Sequence, residues 1–598
     1  MSLPRALLAL LIAVAPLAAQ GTREVADSLI HELRAKQNED GTYGADLVET
    51  CRVLDLLARS PRRYSELDGP FFRNAARAVA RAPAEPSRDA WVALALANAV
   101  TGELAGARDA ALARLQARES VGDFAHALAL RSFPETERTW RTPSRSDDPG
   151  LACLLAADPS QVAPPPIDDR AAWNRWARAA RLRGVTPTVL PELPASGARE
   201  QLSSLLADLD TTILMHGLDD GTSPPQDPRV DIPPRVEPGQ DVTAARERAW
   251  GFLQTHQQDG TFGMELPGWS GPEPGITALC LTATVQLARD LQRPEPEWVA
   301  QGLDYLVSLQ HADGSIQEHG LAVYTTSVSM EALLTAGRES DRPVIEAARN
   351  FLIATQADEG EGYRSDEDWY YGGVGYGGDE RPDLSNTQYA VEIVARAGTP
   401  KDHPFFEKAR IYLERCQNHG EHQVGEWPRA AGGQLVKGTD GGATYMPGDS
   451  KAGENRVGEG LYQARSYGSM TYALVKSYLF AGLPADDPRV QAAVGWIATH
   501  FTVDSNPGFK TPEQGAQGLY YYYLAMARSL RLLPADIGVR DPAGEPIDWR
   551  AALRDKLLHE QRVDGSWLNE GSERWWEGAP TLCTAYAVLT LSAAEDTP

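Results

Sequence analysis

Apolar residues recur three and four positions apart through most of this chain, with polar and charged positions between them, which is the period of an amphipathic helix. In the first half the pattern predicts helices over 24–37, 45–59, 71–81, 88–100, 105–118, 121–131, 168–182 and 198–216. Between 131 and 168 it loosens, interrupted by Pro143, Pro149, Pro159 and the run from Pro164 to Pro166. In the second half the pattern becomes regular and splits into two kinds of helix. One kind ends near Gln257, Gln310, Gln356, Gln417, His500 and Gln561 and carries a bulky residue a few positions earlier: Phe252, Tyr305, Phe351, Tyr412, Trp496 or Leu557. The other kind follows each of these, over 277–289, 325–336, 385–397, 466–480, 515–532 and 581–593. These second helices are apolar and small-residue-rich on all sides, so they are expected to be buried on several faces. No run alternates as strands do.

A short motif joins the two kinds. Gln257-Gln258-Asp259-Gly260-Thr261-Phe262 is echoed at Gln37–Tyr43, Gln310–Ile316 and Gln561–Trp567, with looser copies from Gln356 and Gln417. Recurrence at intervals of tens of residues marks a helical repeat. Six hairpins with buried inner helices can close into a ring, which leaves no open end to cap. The segment 217–241 holds six prolines and several acids and reads as a stiff linker. The expected layout is therefore a signal segment at 1–19, a helical-hairpin domain at 20–216, the linker at 217–241 and a ring at 242–598.

The first of these rests on Arg5, the apolar run from Ala6 to Ala15 and the small residues Leu17-Ala18-Ala19, the arrangement of a secretory signal. That run is too short to span a bilayer, and no comparable run follows, so the expectation is export without a transmembrane segment in the mature chain. The net charge of −25 argues against nucleic acid and anionic membrane partners. Five scattered cysteines form no disulfide framework and read as small buried residues.

The Gln…Gly…Trp turns resemble the QW repeats of the terpenoid cyclase and protein prenyltransferase superfamily, closest at Gln561–Trp567. The resemblance covers 244–593 well and 24–59 in part. It implies an all-α fold: a C-terminal (α/α)6 toroid of six helical hairpins with an N-terminal helical-hairpin domain. It also implies where chemistry would lie. Squalene–hopene cyclases of this superfamily protonate an alkene with the central Asp of a Pro-Asp-x-Asp-Asp-Thr-Ala segment. The matching segment here is Pro382-Asp383-Leu384-Ser385-Asn386-Thr387-Gln388, with Ser385 at the donor's position. The zinc-dependent prenyltransferases would place a ligand at Cys583, but an Asp-x-Cys partner is missing. Protonation-initiated cyclisation and prenyl transfer are therefore not expected, and no cofactor is.

In a hairpin ring the loops leading into the inner helices share one rim, where helix N-termini attract anions. Those loops are long and aromatic, as functional loops are. The expected ligand-binding residues are Trp369, Tyr370, Tyr371, Asn386, Tyr445, Tyr467, Tyr521, Trp575 and Trp576. Candidate acid–base or catalytic groups are Asp379, Asp383 and Arg465, although either carboxylate equally suits a helix cap. Cys416, His419 and His422 have metal-like spacing without an evident fourth ligand. The chain thus reads as an exported toroid with an aromatic rim pocket, in a ligand-binding role for an apolar, isoprenoid or polysaccharide ligand or in an interaction role as a non-enzymatic scaffold. The alternatives are a carbohydrate-active (α/α)-toroid hydrolase or lyase and a divergent terpenoid cyclase.

Overall fold

A computed structural model describes residues 22–99, 101–118, 123–133, 147–156, 158–167, 169–187, 191, 201–216, 232–266, 269–318, 321–377, 381–420, 427–428, 433–534 and 538–595. The expected signal segment and the linker up to 231 lie outside them. The chain divides into two compact units, 1–227 and 228–598.

The N-terminal unit is helical: α1 (Thr22–Arg34), α2 (Leu47–Arg59), α3 (Pro70–Arg81), α4 (Asp89–Ala95), α5 (Gly102–Gln116), α6 (Phe124–Ser132), α7 (Pro149–Leu155), α8 (Arg170–Leu182) and α9 (Leu202–His216). Helix α7 lies where the prolines argued for a loose region. Pro149 stands at its first turn, where its missing N–H costs nothing, and Asp148 caps it by accepting from Leu151 N at 2.9 Å. The unit closes on itself, because α9 packs on α1, α2 and α8.

The C-terminal unit is the expected toroid. Its outer helices are α10 (Val242–His256), α12 (Glu297–Ser308), α14 (Arg342–Ala354), α16 (Pro404–Cys416), α18 (Pro488–His500) and α21 (Trp549–Glu560). Its inner helices are α11 (Pro274–Asp290), α13 (Ala322–Ala336), α15 (Leu384–Arg396), α17 (Gly468–Phe480), α20 (Leu519–Leu530) and α22 (Pro580–Ala594), with a single turn, α19 (Pro512–Gly515), before α20. Each inner helix packs on the next, and α22 packs on α11, so the ring is closed.

The repeated turn is what joins one hairpin to the next. At Gln356 the side-chain Nε2 donates to Gly372 O at 2.8 Å, within its own loop, and to Phe405 O at 3.0 Å, on the first turn of the next outer helix. Gln310, Gln417 and Gln561 make the same pair of bonds, to Val344, Arg489 and Ala245 respectively on the following outer helix. The bond from Gln561 to Ala245, at 2.8 Å, ties the last hairpin to the first. Gly314 shows why the motif needs glycine twice over. Its φ is +93°, and a Cβ there would stand 2.4 Å from Ala347 O of the next outer helix. A threonine on five of the six inner helices, all but α20, completes the joint by accepting from the backbone N–H that ends the turn. Thr277, Thr326, Thr387, Thr471 and Thr584 do so for Phe262, Ile316, Val374, Ala443 and Trp567. Gln37, Phe71, Tyr43 and Thr50 build the same joint in the N-terminal unit.

Short strands do occur, within the loops. β1 (Gly263–Leu266) pairs antiparallel with β2 (Trp269–Pro272). In the fourth loop β3 (Trp427–Pro428), β4 (Gln434–Leu435), β5 (Glu454–Gly458) and β6 (Leu461–Ala464) form a sheet in the order β3-β4-β6-β5. The described end of the proline-rich segment is held by the sixth turn: Val236 N donates to Gln561 O at 2.8 Å, and Val563 N donates to Pro234 O at 3.0 Å.

Candidate functional site

Three buried carboxylates sit at the rim where the inner helices begin. Glu273 caps α11, its Oε2 accepting from Ile276 N at 2.6 Å. Asp383 caps α15, accepting from Asn386 N at 2.8 Å and Asn386 Nδ2 at 2.7 Å. Glu577 lies in the sixth loop yet serves α20, accepting from Tyr521 N at 2.8 Å and from Asn569 Nδ2 at 2.6 Å. Burial raises Asp383 to about 6, against the opposing pull of the Asn386 bonds and the Lys451 charge. Burial raises Glu577 to about 7, again against its hydrogen bonds. Both are carboxyl groups whose charged form is disfavoured by loss of water.

The structure gathers Asn386, Tyr445, Tyr467 and Tyr521 of the expected residues around Asp383. Lys451 stands 4.2 Å over the Tyr445 ring. Tyr370 and Tyr371 are turned to other partners: Tyr370 Oη donates to Met446 Sδ at 3.8 Å and Tyr371 Oη to Glu359 at 2.6 Å. Trp369 is half-buried in the same loop. Arg465 is bound into the loop fabric, donating to Gly508 O at 2.7 Å and Asn455 Oδ1 at 2.8 Å, which leaves its guanidinium bracing backbone. Trp575 and Trp576 stand exposed beside the start of α20, Trp575 against Gly518. Asp379 and His422 lie outside the described residues. Cys416 is buried, and burial holds its thiol far above the ordinary range, which opposes a metal-binding thiolate. Among the described residues no group of three His, Cys, Asp or Glu side chains could hold a metal ion.

Below the rim the lumen is crossed by side chains, among them the expected Tyr521 and the Ser385 of the 382–388 segment. Tyr324 and Tyr586 bring their hydroxyls to 3.4 Å, and the Tyr324–Tyr389 and Tyr389–Tyr521 rings lie 5.4 and 6.3 Å apart. Ser385 Oγ meets Tyr521 Oη at 3.1 Å, and Gln388 Nε2 donates to the same hydroxyl at 3.4 Å. Deeper still lies an ion network of Glu331, Glu392, Arg396, Lys476 and Arg528. Arg528 donates to both oxygens of Glu331, at 3.1 and 2.6 Å, and Arg396 to Glu331 at 2.9 Å. Lys476 pairs with Glu392. Burial opposes the charge on Glu392, and Lys476, Arg528 and Arg396 outweigh it, holding its carboxyl below the usual range. Helices α13 and α20 are the second and fifth of the six, so the Glu331–Arg528 pair spans the ring. A signal for this layer was present in the sequence: charged residues inside otherwise apolar helices must meet partners.

No family model and no curated protein matches the chain. Among solved structures, it is similar to the type II terpene cyclase MstE of Scytonema in complex with geranylgeranyl dihydroxybenzoate, at 15% identity over 59% of this chain and 97% of that one, with a TM-score of 0.37. A protein from Actinoplanes is 18% identical over 59% of this chain and 98% of its own, with a TM-score of 0.33. The ent-copalyl diphosphate synthase of Streptomyces platensis is 13% identical over 88% of this chain and 99% of its own, with a TM-score of 0.27. At these identities and scores the chemistry must be read from the chain's own residues.

Proposed function

We propose that the protein is an exported ligand-binding toroid whose site is the N-terminal rim of the inner helices, and that it does not initiate cyclisation by protonating an alkene. The observation that carries this reading is the filling of the lumen. Four tyrosines from four inner helices meet across it, and beneath them Glu331 and Arg528 pair from opposite sides. A long apolar chain threaded there would strip these polar groups of partners at a cost of several kcal/mol, roughly 1–3 for each. Ser385, where the resemblance calls for a strong acid, instead shares a hydrogen bond with Tyr521. A hydroxyl so placed is too weak an acid to protonate an alkene. Tyr324, Ser385 and Tyr521, the half-buried members of this layer, supply the binding surface.

The test pairs a product assay with a binding assay. Purified protein is incubated with squalene and with a geranylgeranyl compound, and the extracts are examined by mass spectrometry. Unchanged substrate is expected, and a cyclised product would overturn the proposal. The same protein, titrated with a panel of isoprenoid alcohols and oligosaccharides, is expected to bind one class saturably and to bind it several-fold more weakly as Tyr521→Phe.

A further inference from the structure

The N-terminal unit contains a cavity of about 130 Å³, bounded by α2, α3, α4, α5 and the loop that joins α3 to α4. Its floor is Cys51 and Val79, both buried, and its walls are the half-buried Leu47, Ala80, Val92 and Ala107. Exposure rises toward Ala84, Glu85 and Ala110, which places the mouth at that end. An aliphatic cavity of roughly 150 Å³ holds a benzene-sized molecule, so this one takes an apolar body of about six carbons.

The mouth carries charge, and the charge is unbalanced. Arg88 lines the cavity with its side chain 19% exposed. Its Nη2 meets Glu85 Oε2 at 3.0 Å and donates to Pro83 O at 2.9 Å. Among the described residues nothing accepts from its Nε or Nη1. Arg114, on α5, holds Asp89 Oδ1 through Nη2 at 2.7 Å and through Nε at 2.8 Å, which leaves Nη1 for another acceptor. Asp89 is held a second time by Arg118, at 3.0 Å, so its charge is answered twice. The Glu85 side chain is 54% exposed, and water screens much of its charge. Three guanidiniums thus face two carboxylates, a local surplus of positive charge in a chain of net charge −25. Burial pushes the Cys51 thiol up to about 12, and the Arg88 charge is the first to oppose it, so that charge is felt at the cavity floor.

We propose that this cavity binds a small monocarboxylic acid, its apolar body of about six carbons on the aliphatic lining and its carboxylate at the mouth against Arg88 and Arg114. Each half of the site selects one half of the ligand. The lining gains by removing apolar surface from water and offers a polar body nothing to bond. The free guanidinium N–H groups bond a carboxylate about twice as strongly as a neutral acceptor. A cationic head meets the surplus of arginines and is repelled. The site lies wholly within the N-terminal unit and is independent of the rim reading.

The full chain is titrated by calorimetry with sodium acetate, sodium hexanoate, sodium dodecanoate and 1-hexanol. Saturable binding is expected to be tightest for hexanoate. Acetate leaves the lining uncovered and dodecanoate exceeds the volume, so each is expected to bind at least about tenfold more weakly. Hexanol is expected to bind about tenfold more weakly than hexanoate, and Arg88→Gln to remove most of that difference while leaving hexanol binding within about twofold. A merely structural role for Arg88 would weaken both ligands alike. Ala80→Leu and, from another helix, Ala107→Leu each fill the cavity, and each is expected to abolish binding without lowering the melting temperature. The proposal is overturned if hexanoate does not bind saturably, if dodecanoate or hexanol binds as tightly, or if hexanoate binding survives both filling substitutions.

Discussion

At the scale of single residues, Asp383 combines two roles that pull against each other. As a cap it accepts from Asn386 N, which favours its charged form, while burial favours its neutral form and prevails, raising it to about 6. The sign of the resulting pH dependence follows. Between about pH 4, where an unfolded aspartate releases its proton, and pH 6 the folded state holds more protons than the unfolded one, so stability falls as pH rises. Glu577 extends the same trend toward pH 7. Asp383→Asn keeps a capping acceptor and removes the titration. It is expected to match the parent below pH 4 and to exceed it by about 1–3 kcal/mol above pH 6, read from thermal unfolding at a series of pH values. A difference that does not change with pH would show that burial is not what governs this carboxyl group.

At the scale of elements, the joint between hairpins accounts both for what the sequence revealed and for what it hid. The Gln–Gly turn was legible because each position has a local reason for its residue type. The carboxamide must reach two carbonyls, and the glycine must adopt positive φ against a neighbouring backbone. Gln356→Leu removes the donors to Gly372 O and Phe405 O and is expected to cost about 1–3 kcal/mol. Gln257 is the internal control: half-buried, it accepts from Gly260 N at 2.9 Å, and its conversion to Leu is expected to cost less than about 1 kcal/mol. Equal losses in chemical unfolding, at unchanged denaturant slope, would refute the clasp. Helix α7 is hidden in the sequence because a proline signals an interruption within a helix and a start at its first turn, where Pro149 stands. The fourth-loop sheet escaped because its strands are two to five residues long, too short for alternation to register. The site was the least legible part. Tyr324 meets Tyr586 across 262 residues of chain, and Ser385 meets Tyr521 across 136. No periodicity along one helix encodes which tyrosines face one another across a ring.

At the scale of the whole toroid, closure is achieved twice, by Gln561 reaching Ala245 at the perimeter and by Glu331 reaching Arg528 through the centre. The central tie is the more consequential, because both partners are buried and each is costly alone. Burial opposes the charge of Glu331, and Arg528 and Arg396 outweigh it, holding its carboxyl below the usual range. Glu331→Gln leaves two arginines short of a counter-charge and is expected to destabilise the C-terminal unit by about 3–5 kcal/mol. Glu331→Leu combined with Arg528→Leu removes the pair together and puts apolar side chains in a lumen already walled by apolar helices. The double variant is expected to lose less than the sum of the two single replacements, with a coupling of about 1–3 kcal/mol in a thermal double-mutant cycle. If the losses simply add, the two helices do not communicate through this pair. The filled lumen would then lose its organising contact, and with it the physical reason for placing the ligand at the rim rather than within the ring.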